Sequence, residues 1–403
     1  MRTPVVLVAG QSETEEVVNV VDVVDVVNVL AAAPGTVTVW HRFDGQVVVR
    51  TVGTRQSRSE WALELANGCV SCTIRDDLLV LLRRLHRRGD VTRIVVALLP
   101  WLEPEPVCWA IDNVAVRVGP GYIDGPAARD VYVHGVVTCI DTANWRTQAV
   151  GDEELHDGRT AAQVVVGQAE FADVLVLSEP ERTTLALLRR LTPWARITVG
   201  PTRVETALGH LDPNSSRGRA RQPHDPLLAG QPPLEPDGEV ALVEFSARRP
   251  FHPHRLHAAL DLLLDGVVRT RGRAWLATRP DNVMWIESAG GGLRFSNAGK
   301  WLAAMTSRER AYIDPQRLAL AATQWDDVFG DRHIAMTMLV CGAAPAELLD
   351  ALNGALLDDD EASRPDEWQT YGDPFGDWHE EPCGDIAATA ADNAGRHDTG
   401  EDI

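Results

Sequence analysis

Apolar and polar positions in the first half of the chain follow two alternating patterns. Short, nearly continuous apolar runs at positions 4–9, 37–40, 47–52, 93–99, 131–140, 174–177 and 197–199 end in turns or polar residues. Runs of this kind read as strands, and the first, ending at Gly10, as a parallel strand buried on both faces. Between them the period changes. Positions 17–30 set Asn19, Asp22, Asp25 and Asn28 at every third residue among valines. That spacing fits one face of a helix, although valine is a poor helix former. Positions 77–88 set Leu78, Leu79, Leu81, Leu82 and Leu85 against arginines, an amphipathic helix. Strands alternating with helices predict an α/β domain over residues 1–211, a doubly wound, mostly parallel sheet.

The pattern breaks at residues 212–238, which are rich in Pro, Gly, Ser and Arg and include Gln231-Pro232-Pro233. This stretch is expected to be a linker or long loop. Residues 239–357 read as a smaller α+β domain, with strands at 240–245, 273–277, 282–287 and 334–341 and helices at 255–264 and 344–357. In residues 358–403 the large apolar residues thin out to Trp368, Tyr371, Phe375 and Trp378, and 15 acidic residues face only Arg364 and Arg396. This composition predicts a disordered acidic tail. The net charge of −20 is therefore mostly a tail property and says little about the folded surface. No apolar run is long enough to cross a bilayer, and the N-terminus lacks a signal-peptide pattern, so a cytoplasmic protein is expected, with no membrane and no DNA partner. Six cysteines in 403 residues are too few for a disulfide scaffold and point to thiols or metal ligands.

Gly68-Cys69-Val70-Ser71-Cys72-Thr73 carries the clearest chemistry. A Cys-x-x-Cys behind a glycine binds a soft metal or does redox work. Two thiolates make half of a tetrahedral zinc shell; His41, Glu64, His379 and Cys383 are candidates for the rest. The competing reading is a pair of unliganded thiols in a helix-capping turn. Cys108, Cys139 and Cys341 lie in apolar surroundings and read as packing residues. His252, His254 and His257 cluster in sequence, but capping and packing explain them better than a metal does. Three arginine runs, at 83–88, 217–221 and 269–273, read as solvated faces, with contact to RNA phosphates as the functional alternative. Lys300 is the only lysine, so the first domain has none to cradle a phosphate.

These residues support a family resemblance. Gly68-Cys69-Val70-Ser71-Cys72-Thr73-Ile74-Arg75-Asp76-Asp77-Leu78 resembles the cysteine segment of the CobW-type metallochaperone GTPases. Gln168-Ala169-Glu170-Phe171-Ala172-Asp173-Val174 is similar to the segment before that family's guanine-reading strand. Pro250-Phe251-His252-Pro253, the stretch from Arg269 to Pro280, and Gly330-Asp331-Arg332-His333 resemble its C-terminal domain. The resemblance implies a P-loop-NTPase-like first domain, a CobW C-terminal domain, and zinc and GTP with Mg²⁺ as ligands.

The departures from the family pattern change that expectation. Where the phosphate loop should lie, the chain has Gly10-Gln11-Ser12-Glu13-Thr14-Glu15-Glu16-Val17; only Gly10 survives, Glu16 replaces the lysine, and the Val17 side chain cannot ligate Mg²⁺. Carboxylates there repel phosphate by about 1 kcal/mol or more per close pair. The guanine-reading motif falls on Ser178-Glu179-Pro180-Glu181, where Glu181 alone could pair with guanine. The segment 97–100 lacks the expected acid. Within the cysteine motif the middle cysteine is Ser71, leaving Cys69 and Cys72 as the metal residues. Zinc is therefore the expected cofactor, and GTP with Mg²⁺ is expected to bind weakly or not at all. The degraded loop, Ser71 and the segment Asp373-Pro374-Phe375-Gly376-Asp377-Trp378-His379 resemble an actinobacterial branch of the family associated with zinc starvation. That likeness implies an adaptor that recruits a hibernation factor to the ribosome. The alternative is a GTP-dependent chaperone that delivers zinc to client proteins.

Overall fold

The computed structural model describes residues 2–11, 22–66, 68–212, 224, 227, 228 and 230–376. Its first domain is an eight-stranded sheet of β1 (Thr3–Gly10), β2 (Thr36–Phe43), β3 (Val48–Gly53), β4 (Arg58–Leu63), β5 (Arg93–Ala97), β6 (Val131–Ile140), β7 (Val174–Leu177) and β8 (Arg196–Val199), in the order β4-β3-β2-β5-β1-β6-β7-β8. All pairings are parallel except β2 with β3 and β3 with β4. The helices are α1 (Val23–Ala31), α2 (Val70–His86), α3 (Pro104–Asn113), α4 (Trp145–Val150), α5 (Ala161–Glu170), α6 (Arg182–Leu191) and α7 (Val204–Gly209). Val6 and Val8 pack with α1 and α7 on one side of the sheet, while Val5, Leu7 and Ala9 pack with α2 and α3 on the other. Cover on both faces explains the unbroken apolar run of β1.

The second domain is an antiparallel sheet of β9 (Val240–Ala247), β10 (Val267–Ala274), β11 (Asn282–Ala289), β12 (Gly292–Lys300) and β13 (Ile334–Cys341), ordered β12-β11-β10-β13-β9. Its helices are α8 (Pro253–Ala259), α9 (Ser307–Arg310), α10 (Pro315–Thr323), α11 (Pro345–Ala355) and α12 (Asp359–Ala362). One core gathers Phe245, Phe251, Trp275, Met284, Ile286, Met336 and Leu352. Val240, Val268, Ala289 and Leu339 instead share a buried cluster with Trp145, Val165 and Leu187 of the first domain. The two domains are thus joined through apolar contact.

The structure departs from the expectations at several places. The sequence pattern predicts neither β4 nor β12. β4 is an edge strand with largely exposed, charged positions, and β12 mixes glycine with polar residues, so neither shows an apolar face. β10 begins at Val267, not at 273, because Arg269 and Arg271 point into an ion-pair cluster. Arg269 meets Glu170 at 3.0 Å, Arg271 meets Glu170 at 2.5 Å and Glu287 at 2.7 Å, and Arg269 also pairs with Glu287. That run is not a solvated face. In the run 83–88, Arg83 is buried, with Asp130 at 2.8 Å and the carbonyls of Ile123 and Gly125 at 2.8 and 3.1 Å.

The expected disorder from residue 358 onward is corrected for residues 358–376. Trp368 is 6% exposed and meets Trp275 edge-on at 5.9 Å. Phe375 stacks on Phe295 at 4.5 Å, and Asp373 pairs with Arg279 at 2.7 Å. With Tyr371 stacked on His252, three aromatic side chains hold an otherwise acidic segment down. Residues 377–403, including Trp378, His379 and Cys383, lie outside the described residues, as do 217–221. Within the expected linker, Asp237 pairs with Arg182 of α6 at 2.7 Å, and Arg190 donates to the carbonyl of Glu235.

Candidate functional site

Strand order reverses across β1 and β6, and in open α/β sheets the crevice at the carboxyl ends of such strands is where ligands bind. Gly10 closes β1 there. Its φ of 144° is one that side chains rarely adopt, and a Cβ would lie 2.8 Å from the carbonyl oxygen of Cys139. Glycine at this position thus has a structural reason independent of any phosphate. Gln11 donates to the carbonyl of Pro100 at 2.9 Å. Glu13, Glu15, Glu16 and Val17 lie outside the described residues.

Glu181 lies at the same edge, after β7, as the N-cap of α6. Its two oxygens accept from the backbone N–H groups of Thr183 and Thr184 at 2.9 and 2.7 Å. Burial pushes its carboxyl up, but these donors outweigh it and hold the group below its ordinary value. Capping leaves each oxygen a further lone pair. Gln168, from the motif before β7, ties the neighbouring loop down: its Nε2 donates to the carbonyls of Pro100 and Leu102 at 2.7 and 2.9 Å.

The cysteine motif sits at the same end of the sheet, where Ser71 lines a small cavity with residues 96–99 at the end of β5. Cys69 is the N-cap of α2, and its Sγ accepts the backbone N–H of Cys72 at 3.2 Å. Both residues are half-buried, and neither is in a disulfide. The motif is thus a helix-capping turn and an accessible thiol pair at once. Of the candidate further ligands, His41 is buried and bonds Asp77 Oδ2 through Nε2 at 2.9 Å, while Asp77 also pairs with Arg50 at 2.5 Å. Glu64 is exposed. Among the described residues, no group of three or more His, Cys, Asp or Glu is gathered to hold a metal. Among the described residues, the thiols of Cys69 and Cys72 could supply two soft donors, half of a zinc shell. Cys108 and Cys139 are buried, and burial pushes both thiols well up, as expected of packing residues. His252 stacks on Tyr371 at 4.8 Å, and His257 packs against Phe375 at 5.8 Å.

A charged cluster between the domains escapes sequence reasoning. Around Glu170, Arg269, Arg271 and Glu287 lie Glu103, held by Arg159 at 2.6 Å, and Glu105. Burial pushes the Glu287 carboxyl up, but Arg269 and Arg271 together hold it down at about 2. Glu105 goes the other way: burial raises its carboxyl to about 7, Arg271 opposes this, and Glu170, Glu103 and Glu287 reinforce it. Glu170 within one family-like segment, and Arg269 and Arg271 within another, are the available signals.

Comparison with known proteins agrees with this architecture. Residues 40–195 match the CobW/HypB/UreG nucleotide-binding domain, and residues 240–356 match the cobalamin synthesis protein cobW C-terminal domain. The chain is 62% identical, over 100% of both sequences, to a zinc chaperone of Mycobacterium tuberculosis. It is 25% identical to the zinc-regulated GTPase metalloprotein activator 1 of Dictyostelium discoideum, over 81% of this chain and 73% of that one. The zinc-bound YjiA GTPase of E. coli aligns over 89% of this chain and 100% of its own, at 14% identity and a TM-score of 0.36. With both of its domains matched in order, the chain belongs to the CobW family: a CobW/HypB/UreG nucleotide-binding domain followed by a CobW C-terminal domain.

Proposed function

We propose that this protein handles zinc through Cys69 and Cys72 and acts on a protein partner without conventional GTP hydrolysis. The observation that carries the reading is the pair of accessible thiols at the start of α2. Two thiolates at x-x spacing can take one zinc ion at about 2.3 Å each and leave two coordination positions open. A half-filled shell suits an ion that is acquired and handed on, since an incoming donor can enter without displacing a ligand. The full-length likeness to a zinc chaperone supports the same reading. Glu13, Glu15 and Glu16 in the sequence after Gly10 support nucleotide independence.

The test is zinc titration by competition with a chromogenic chelator. The parent protein is expected to bind one zinc tightly, and the double variant Cys69→Ser/Cys72→Ser to lose that site while keeping its circular dichroism. Equal zinc affinity in the two would place the metal elsewhere. For the nucleotide, calorimetry with GTP and Mg²⁺ is expected to give no binding near a Kd of about 1 μM, an affinity of roughly −8 kcal/mol; a value that tight would restore the GTP-dependent chaperone reading, in which Gly10 and Glu181 contact the nucleotide.

Within this function, the finer reading is an adaptor that brings a hibernation factor to the ribosome when zinc is scarce. It is supported by the degraded nucleotide motifs and the segment from Asp373. The buried arginines of the runs 83–88 and 269–273 lend it nothing, so its RNA contact would have to come from other residues. Co-sedimentation with ribosomes from zinc-limited but not zinc-replete cells is the expected result, and absence of the protein from ribosome fractions in both conditions would refute it.

A further inference from the structure

At the end of the first sheet opposite Gly10, the last turn of α2 meets the start of β1 and the chain leading into β6. His86 of α2 lies 2.9 Å from the Thr3 hydroxyl. The segments 2–4, 83–90 and 111–134 carry seven arginines against four aspartates, with no lysine or glutamate. Three of the aspartates are taken. Asp130 pairs with the buried Arg83 at 2.8 Å, Asp90 with Arg88 at 2.7 Å and Asp124 with Arg117 at 3.4 Å. Asp112 lies on α3. Arg2, Arg84, Arg87 and Arg129 are exposed and form no ion pair among the described residues. Neutral partners position three of them: Arg2 donates to the carbonyl of Ala128 at 3.2 Å, Arg84 to that of Val118 at 3.4 Å, and Arg87 to that of Gly121 at 3.0 Å. A carbonyl fixes a guanidinium without cancelling its charge, and it leaves most of the five N–H donors free.

Contacts join these groups into one strip. Arg87 lies over the Tyr122 ring at 4.5 Å, with Arg84 one turn earlier on α2. The Arg129 side chain runs along Gly125, where an added Cβ would lie 2.5 Å from its Nε. Arg2, tied to Ala128, lies over the Tyr132 ring at 5.7 Å. Guanidinium groups thus alternate with two half-buried phenol rings. Arginine at a helix C-terminus complements the macrodipole, which accounts for Arg84 and Arg87. It does not account for Arg2 and Arg129, which reach the strip from other parts of the chain. Fixed positive charge interleaved with aromatic rings suits a strand with unpaired bases: phosphates meet the guanidinium groups, and bases stack on the rings. An anionic membrane would need a broad apolar face beside the charge, and here Ile123 is the exposed large apolar side chain.

We propose that this strip binds single-stranded RNA, its phosphates on Arg2, Arg84, Arg87 and Arg129 and its bases against Tyr122 and Tyr132. The choice of RNA as the strand rests on the ribosome reading above; the arrangement of charge and rings stands without it. The test is fluorescence anisotropy of a labelled oligouridylate of about 12 nucleotides with the full chain, over a series of salt concentrations. Four phosphate contacts give a slope of log affinity against log salt of about −3. Arg84→Gln/Arg87→Gln is expected to weaken binding about tenfold or more and to halve that slope, to about −1.5. Tyr122→Leu is expected to weaken binding about fivefold or more with little change in slope, since stacking releases no counterions. Arg308→Gln, an exposed arginine of the second domain, should bind as the parent does. No binding at about 50 mM salt, parent-like affinity and slope in the double arginine variant, or tighter binding to phosphatidylserine vesicles than to the RNA would each overturn the proposal. If Tyr122→Leu fails to fold, the two exposed arginines still decide it. Ribosome co-sedimentation separates the two readings. A protein that binds the oligonucleotide through Arg84 and Arg87 but never reaches ribosomes keeps the strip and loses the adaptor role. A double variant that reaches ribosomes as the parent does keeps the adaptor role and overturns the strip.

Discussion

At Cys69 a single sulfur both caps a helix and, in the proposed reading, holds zinc, and substitution separates the two roles. Serine is among the best N-cap residues, so Cys69→Ser is expected to change stability by less than about 0.5 kcal/mol, while Cys69→Ala loses about 1 kcal/mol. Urea unfolding in the presence of a chelator reads the cap alone, and zinc titration of the same variants reads the metal. The Cys-x-x-Cys pattern and its capping alternative are both legible in the sequence because they depend on residues three apart. Glu105 is not, because the groups that perturb it arrive from α5 and from the second domain. With its carboxyl raised to about 7 from 4.5, the folded protein holds a proton that the unfolded chain has already released between those values. Stability is therefore expected to fall as pH rises through that window. Urea midpoints measured below and above it should differ in the parent, and the difference should shrink in Glu105→Gln.

Among the elements, α2 shows how far periodicity reaches. Its leucines face the core as their spacing predicts, and the arginines between them look interchangeable in sequence. Only Arg83 is buried, where it joins Asp130 to the turn that carries Ile123 and Gly125. Arg83→Met is expected to cost about 3 kcal/mol, since it leaves the partly buried Asp130 carboxylate and two carbonyls without their guanidinium. Arg83→Lys should rescue little of this, because an ammonium cannot reproduce the guanidinium fork. Arg87→Ala should be nearly neutral: its guanidinium lies over the Tyr122 ring at 4.5 Å at the surface. Denaturant unfolding of the three variants checks the order.

For the whole molecule, the joint between domains rests on the shared apolar cluster and on Glu170. Glu170→Gln leaves Glu287 as the carboxylate paired with both Arg269 and Arg271 and is expected to destabilise by about 3 kcal/mol. Calorimetry should then show the single unfolding transition broaden or split, as domains joined through a weakened interface unfold more independently. A chain ending at residue 357 removes Trp368 from beside Trp275, and the loss of such a buried side chain costs about 3 kcal/mol or more. A chain ending at residue 376 keeps that contact and is expected to retain the parent's stability; equal midpoints for both truncations would refute the packing of this segment.

The alternating apolar runs determined the parallel sheet, because strands covered on both faces must be apolar throughout, and local spacing exposed the cysteine turn and the family. Tertiary structure alone decided which charges are buried. Arg271 and Glu170 stand 101 residues apart, and no local pattern records that one neutralises the other. The same holds for residues 358–376, whose acidic composition argues for disorder while three aromatic side chains find their places on a distant part of the second domain. Periodicity reports which face of an element is apolar; whether a charge can be buried depends on a partner that only the folded chain supplies.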